Sequence, residues 1–386
     1  MLNFQLKNPT RIIFGKNQIS ALQNEIPVTD KVLLLYGGGS IKKNGIYKQV
    51  IASLSNHEVV EFGGIHANPE YEVLLKALHI IKSEKITFLL AVGGGSVIDG
   101  TKFLSAAALY EGTDPWEILT QKLKPRQGLP FGTVLTLPAT GSEMNSRTVI
   151  TRAETNEKLS TRGDAFYPRF SILDPMVVQS VSQQQIANGL ADSFMHVMEQ
   201  YLTYPNGALL QDRIAEGILQ TIIEIAPRIL SDPGNYEVAS NFMWCCTMAL
   251  NDLIEQGVPT DWSIHMMGHE LTAIHHIDHA RTLAILAKSH YLYNFESKKE
   301  KLAQYAKRIW NVRQGSVDEK AIKAIEQTDC FFRSLGIKTR LSQYTNEFTG
   351  TAEKIASTFE KRKWIGLGEN KSLNPDDVLQ IVKMSY

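Results

Sequence analysis

The chain has 386 residues, with 40 Lys and Arg balanced by 40 Asp and Glu, so its formal charge is zero; phosphate neutralisation needs a basic excess, which argues against nucleic acid as the main partner. With 43% hydrophobic and 21% charged residues it is ordinary globular material rather than a disordered or fibrous chain, long enough for about two domains of roughly 150 residues. No apolar run approaches the ~18 residues of a membrane span, Met1 to Lys16 lacks the apolar block of a secretory signal, and Cys245, Cys246 and Cys330 suit neither a disulfide framework nor a cysteine zinc site, so a cytoplasmic protein without a membrane partner is expected.

In chain order, short β-rich runs first alternate with helical patterns. Lys31 to Tyr36 reads as a strand, then a helix ends near Ser55, and Glu58 to Phe62 reads as a second strand. A helix from about Pro69 to Glu84 follows, with Val73, Leu74, Ala77, Leu78 and Ile81 at i, i+3, i+4 and i+7 spacing. Ile86 to Val92 is a third strand, followed by a helix through Tyr110, and strands return at Gly132 to Leu137 and Phe170 to Leu173. Near-continuous apolar strands alternating with helices predict a parallel sheet covered on both faces. After Asp174-Pro175 no strand is evident, and from Ser182 the pattern is helical, broken at Pro205-Asn206-Gly207, Asp232-Pro233-Gly234, Gly257 to Pro259 and Gly336. The expected boundary lies near 174–182, giving an α/β dinucleotide domain over 1–178 and an all-helical domain over 179–386.

Composition divides the chain in the same way. Residues 1–150 hold 15 of the 27 glycines, while seven of the ten histidines fall between His196 and His290. Gly37-Gly38-Gly39-Ser40 and Gly93-Gly94-Gly95-Ser96 each follow a strand. Glycine lets backbone approach a phosphate, and helix N-terminal amides attract anions. Neither loop is the GxGxxG fingerprint, since Lys42 and Ile98 stand where the third glycine would be. One loop alone could be a tight turn; two in one sheet favour a dinucleotide. Thr136 to Glu143 follows the next strand, where its hydroxyls could line a groove or Ser142 could cap a helix. Asp99 could be only a first-turn carboxylate.

In the helical part, Asp192 and His196 lie at i and i+4, on one helix face about 5 to 6 Å apart at Cβ. His265, His269, His275, His276 and His279 add five imidazoles within 15 residues. Six histidines and an aspartate in two helical segments read as a metal site. A zincin would need HExxH, which is absent; a di-iron bundle would need two Glu-x-x-His helices, whereas His196 to Glu199 runs backwards and once. A mononuclear site remains.

These motifs together resemble the iron-containing (group III) alcohol dehydrogenases, especially the NADPH-dependent aldehyde reductase and butanol dehydrogenase branch. The resemblance runs from Pro9-Thr-Arg-Ile-Ile-Phe-Gly15 through Gly93 to Asp99 and Leu137 to Glu143 to the histidine cluster, Gly268-His269-Glu270-Leu271 and Leu367-Gly368-Glu369-Asn370. It implies a Rossmann-like parallel-sheet domain plus an all-α metal domain, in the dehydroquinate synthase-like architecture. It also implies Asp192, His196, His265 and His279 as metal ligands, with His269 either supporting a ligand from behind or relaying a proton, and His275 and His276 outside the ligand set in a loop or cleft wall. By the same resemblance Gly93 to Ser96 cradles the pyrophosphate with Asp99 beside it, Thr136 and Thr140 lie along the cofactor groove, and Lys158 lies near the nicotinamide.

The implied reaction is hydride transfer between nicotinamide and a small aldehyde or alcohol, and the expected assembly is a homodimer. NAD-preferring members place an aspartate in the first glycine loop. Here Gly37 to Ser40 carries no carboxylate, Ser40 offers a hydroxyl, and Lys42 and Lys43 add positive charge, so NADP(H) is the expected coenzyme and Asp at Gly39 should turn the preference to NADH. Four protein ligands would close a tetrahedral zinc, so iron(II) fits more easily than zinc. The alternatives are a metal-dependent lyase of the dehydroquinate synthase type, whose basic phosphate pocket is not evident, and a non-catalytic metal-binding protein, which would need no glycine loops.

Overall fold

Apolar runs buried on both faces build the first part of the chain. The computed structural model describes residues 1–155 and 157–386. Strands β1 (Arg11–Phe14), β2 (Lys31–Tyr36), β3 (Glu58–Phe62), β4 (Phe88–Gly94), β5 (Phe131–Leu137) and β8 (Phe170–Leu173) form a six-stranded sheet in the order β1-β8-β5-β4-β2-β3. Every pairing in it is parallel. Val32 to Leu35 and Leu89 to Val92 are fully buried, which is why their sequence shows no alternation. The helices of this part are α1 (Leu22–Glu25), α2 (Ser40–Lys43), α3 (Ile46–Ser53), α4 (Tyr71–Ser83), α5 (Gly95–Ala107) and α6 (Glu117–Thr120). Strands β6 (Arg147–Arg152) and β7 (Glu157–Arg162) form a separate antiparallel pair that the sequence reading did not expect.

The rest of the chain is helical: α7 (Gln183–Tyr201), α8 (Leu209–Ser231), α9 (Tyr236–Ala249), α10 (Ser263–His275), α11 (His279–Tyr293), α12 (Phe295–Ile309), α13 (Val317–Ser334), α14 (Thr351–Lys361) and α15 (Pro375–Met384). The Pro and Gly breaks read from sequence fall between these helices. No helix of the described residues is long and apolar enough to cross a membrane.

Packing divides the chain into two units, Lys7–Ser182 with Ser231–Asp252, and Met1–Leu6 with Gln183–Leu230 and Leu253–Tyr386. The division thus departs from the expected 1–178 and 179–386, because α9 belongs with the sheet. The reason is polar as well as apolar. Thr247 of α9 donates to the Glu143 carboxylate at 2.5 Å, and the Asn145 amide donates to Leu250 O at 2.9 Å, both from the connection between β5 and β6. A helical period reveals that α9 is a helix but not which unit will bury it.

Candidate functional site

In the sheet-bearing unit, register aligns the two glycine loops. Tyr36 pairs with Val92, an offset of 92 − 36 = 56 that equals the 93 − 37 = 56 between the loops, so Gly37 and Gly93 leave the C-terminal ends of adjacent strands side by side. Gly94 in turn pairs with Leu137 on β5, which brings Thr136 and Thr140 to the same end of the sheet. Carboxyl ends of neighbouring strands are where open α/β sheets bind ligands.

The loops are glycine-rich for different reasons. A Cβ on Gly93 would lie 2.5 Å from Val97, and one on Gly95 would lie 2.4 Å from the Thr140 hydroxyl, so that loop is close-packed against its own protein and leads into the exposed amides of α5. Around Gly38 the nearest atom to an added Cβ is His66 at 3.9 Å, and around Gly39, with φ +89°, none of the described residues lies within 4 Å. The first loop therefore leaves space for a ligand. It opens into α2, only four residues long, so its polar equipment is Ser40 and the lysines rather than a helix end. Lys42 pairs with Glu61 at 3.1 Å and lies over the rings of Tyr36 and Tyr47, so part of its charge is already engaged.

Asp99 lies just past the first turn of α5, which holds no acidic residue. Its carboxylate accepts the Ser142 hydroxyl at 2.5 Å and the Val149 amide at 3.1 Å, tying α5 to the segment leading into β6. Burial raises its pKa against the opposing pull of Lys102. Lys102, fully buried, does similar work one turn later by donating to the Asn145 carbonyl, the Asn145 side chain and the Arg147 carbonyl; burial pulls its pKa down to about 8. Sequence reading missed it, because its acceptors are more than 40 residues away. Lys158, on β7, donates to the Asn68 side chain at 2.9 Å.

In the helical unit, one ligand atom each from Asp192, His265 and His279 lies within 4.8 Å of the others. Asp192 and His196 project from one turn of α7, with His196 Nε2 3.8 Å from Asp192 Oδ1. His196 stacks on His265 at 4.8 Å between ring centres. His265 comes from the first turn of α10, and His279 begins α11. The two helices can approach closely because position 268 is glycine: a Cβ there would lie 2.9 Å from Thr282 and Leu283. His269, one turn after His265, lies beside His279 with ring centres 4.6 Å apart. His275 instead hydrogen-bonds Thr351 at 2.8 Å, and His276 ends α10 in the left-handed region at φ 53°.

The donor set suits a metal. His265 Nδ1 is hydrogen-bonded to Glu199, and its Nε2 is buried with no hydrogen-bond partner among the described residues, which leaves that nitrogen available to a cation. One carboxylate and a set of imidazoles match iron(II) or zinc. Glu199 was visible in the sequence only as evidence against a di-iron motif. Burial pushes its pKa up, opposed by His265. Beyond it, Asp261 accepts the Ser263 amide at the start of α10 and pairs with buried Lys298 at 2.9 Å, which also pairs with Glu369 at 2.7 Å. Burial raises Glu369 to about 7.

A parallel-sheet unit with glycine loops at adjacent strand ends, and a helical unit with a cluster of metal-ligating side chains, define a nucleotide-using metalloenzyme class. Comparison with known proteins narrows it. The model of the iron-containing alcohol dehydrogenase family matches residues 9–175, and that of its C-terminal part matches 186–386. The chain belongs to the iron-containing alcohol dehydrogenase family. It is 48% identical over 378 residues to the NADPH-dependent aldehyde reductase YqhD of Escherichia coli (strain K12), covering 97% of each chain. It is 41% identical over 392 residues to the probable NADH-dependent butanol dehydrogenase 1 of Bacillus subtilis (strain 168), covering all of both. The crystal structure of E. coli K-12 YqhD superposes with a TM-score of 0.98 at 46% identity, over 100% of this chain and 99% of that one.

Proposed function

We propose that this chain is an NADP(H)- and metal-dependent alcohol dehydrogenase and aldehyde reductase, acting on short- to medium-chain aldehydes and primary alcohols. The observation that carries the reading is the convergence of Asp192, His265 and His279, with His265 Nε2 buried and without a hydrogen-bond partner among the described residues, in a chain whose sheet also aligns two glycine loops. Asp192, His196, His265 and His279 would hold iron(II) or zinc. When bound, the metal supplies Lewis-acid polarisation of the carbonyl and the reduced nicotinamide supplies the hydride. Gly93 to Ser96 and the first turn of α5 hold the pyrophosphate, the Thr136 and Thr140 hydroxyls and Lys158 line the rest of the coenzyme, and Gly37 to Ser40 receive its adenosine end. Asp99 keeps Ser142 and β6 in place beneath it. The simplest test is metal-loaded protein with butanal: NADPH absorbance falls under this reading, and stays constant if the chain only binds metal.

His269 would relay between solvent and the carbonyl oxygen the proton that the reduction consumes. Its ring lies beside that of His279, and the proposed ligand set leaves it out, although the tight group of Asp192, His265 and His279 includes neither His269 nor His196. His269→Ala should therefore retain its metal and lose about 10²-fold or more in turnover, the usual worth of a positioned acid or base. Metal content measured on the purified variant decides the point, since loss equal to that of His265→Ala would make His269 a ligand.

The assembly we propose is a cytoplasmic homodimer joined through β1. Arg11 and Gly15 donate to Arg169 and Leu173, so alternation turns the Ile12 and Phe14 amides toward the open edge of the sheet. Phe14 and Trp244 are half exposed beside that edge. Antiparallel pairing about Ile13 would satisfy both copies through one two-fold axis. Light scattering should return twice 43.2 kDa, and Ile12→Pro, which deletes an outward amide only, should return 43.2 kDa. A monomeric wild type would contradict this assembly.

A further inference from the structure

Glu199 lies on α7 three residues after His196 and seven after Asp192, on the helix face that carries both. The start of α10 converges on it. Its Oε1 accepts the Ile264 amide at 2.8 Å, Oε2 accepts the His265 amide at 3.3 Å, and Oε2 is also hydrogen-bonded to the His265 ring at Nδ1. Glu199 is only 2% exposed, so none of these contacts competes with bulk water. With two backbone N–H groups already directed at the carboxylate, it acts as an acceptor, and the ring contact requires a hydrogen on Nδ1. The lone pair of His265 then resides on Nε2, the atom buried without a partner among the described residues.

We propose that Glu199 is a positioning residue of the metal centre, which fixes His265 as the Nδ1–H tautomer and joins the first turn of α10 to the helix carrying Asp192 and His196. The proposal deepens the metal reading above and rests on it. Glu199 thus sets both the chemistry and the place of one ligand relative to two others before any cation arrives. Outer carboxylates of this kind typically contribute 10- to 100-fold to metal affinity.

Glu199→Gln separates this role from simple helix capping. Glutamine keeps the size and can still accept the Ile264 amide, but its NH₂ group would face the ring as a donor and favour the opposite tautomer. Three measurements on metal-free wild type and variant make the test. Nitrogen NMR of labelled histidine, assigned with His265→Ala, should show Nδ1–H in the wild type and Nε2–H in the variant. Co(II) titration followed by ligand-field absorption should show affinity about 10- to 100-fold weaker in the variant. Thermal melting of the metal-free proteins and NADPH binding should be nearly the same. Unchanged tautomer or unchanged Co(II) affinity would overturn the proposal, as would an affinity loss matched by collapse of the metal-free fold. If wild type itself took up no Co(II), the metal reading would fall first, an outcome distinct from wild-type binding that Glu199→Gln leaves intact.

Discussion

His265→Ala should yield a folded protein that retains no metal after dialysis and reduces aldehyde about a thousand-fold more slowly than wild type. His265 is the hinge of the candidate centre: it is 7% exposed, stacks on His196, and presents a buried Nε2 with no other partner among the described residues. Its loss removes one ligand and leaves Glu199 facing a gap, although the carboxylate still accepts the Ile264 amide at 2.8 Å. Lewis-acid polarisation is worth several kcal/mol, and each 1.36 kcal/mol is tenfold in rate, which sets the scale of the loss. Asp192→Ala should behave alike. Coenzyme binding should persist in both, because the glycine loops are held by the sheet, whose strands pair independently of α7 and α10. Elemental analysis, NADPH fluorescence and circular dichroism on the same preparation separate these effects. Normal turnover by a variant shown to be metal-free would contradict the catalytic role.

A carboxylate in the first glycine loop should reverse the coenzyme preference. The similar proteins include one named for NADPH and another for NADH, so this chain's preference has to be read from its own residues. Sequence reasoning selects Gly39 for the substitution, and the structure shows why Gly38 is the cleaner site. Gly39 has φ +89°, so any side chain there carries a strained backbone even though space is open, whereas at Gly38 a Cβ meets nothing closer than His66 at 3.9 Å. Gly38→Asp would place negative charge where a 2′-phosphate would lie, and Lys42, already paired with Glu61, is not free to neutralise it fully. Like charges brought together on binding typically cost several kcal/mol. The ratio of kcat/KM for NADPH over NADH should favour NADPH in wild type and fall by about 10²-fold or more in Gly38→Asp. Equal values for the two coenzymes in wild type would mean that the loop does not discriminate.

The apolar runs are legible in sequence both where a strand is buried throughout, as in Phe170–Leu173, and at the partly exposed sheet edge, as in Glu58–Phe62. Lys31–Tyr36, Glu58–Phe62 and Phe170–Leu173 have the bounds the apolar runs predict. The hairpin of β6 and β7 escaped, since Glu157 to Arg162 contains a single apolar residue, Leu159, and the pair is held by cross-strand hydrogen bonds instead. Strand β1 is four residues at a sheet edge, too short for alternation to show. The i, i+4 spacing of Asp192 and His196 is a local property and is visible in one segment. The link between Glu199 and His265 spans 66 residues, and neither residue's neighbours announce it. Asp99 shows the opposite case: its nearness to the start of α5 suggests a helix-dipole role in the sequence, whereas it sits just past the first turn and accepts from Ser142 and Val149, more than 40 residues on.

The central claim is that the centre built from Asp192, His196, His265 and His279 holds one catalytic metal. Metal-free wild type should be titrated anaerobically with iron(II), and separately with zinc, while bound metal and butanal-dependent NADPH oxidation are measured on the same samples. The account predicts activity that rises in proportion to bound metal and reaches its plateau at about one ion per chain, as expected for a single mononuclear site. Full activity in the metal-free protein, or activity that ignores metal content, would contradict it.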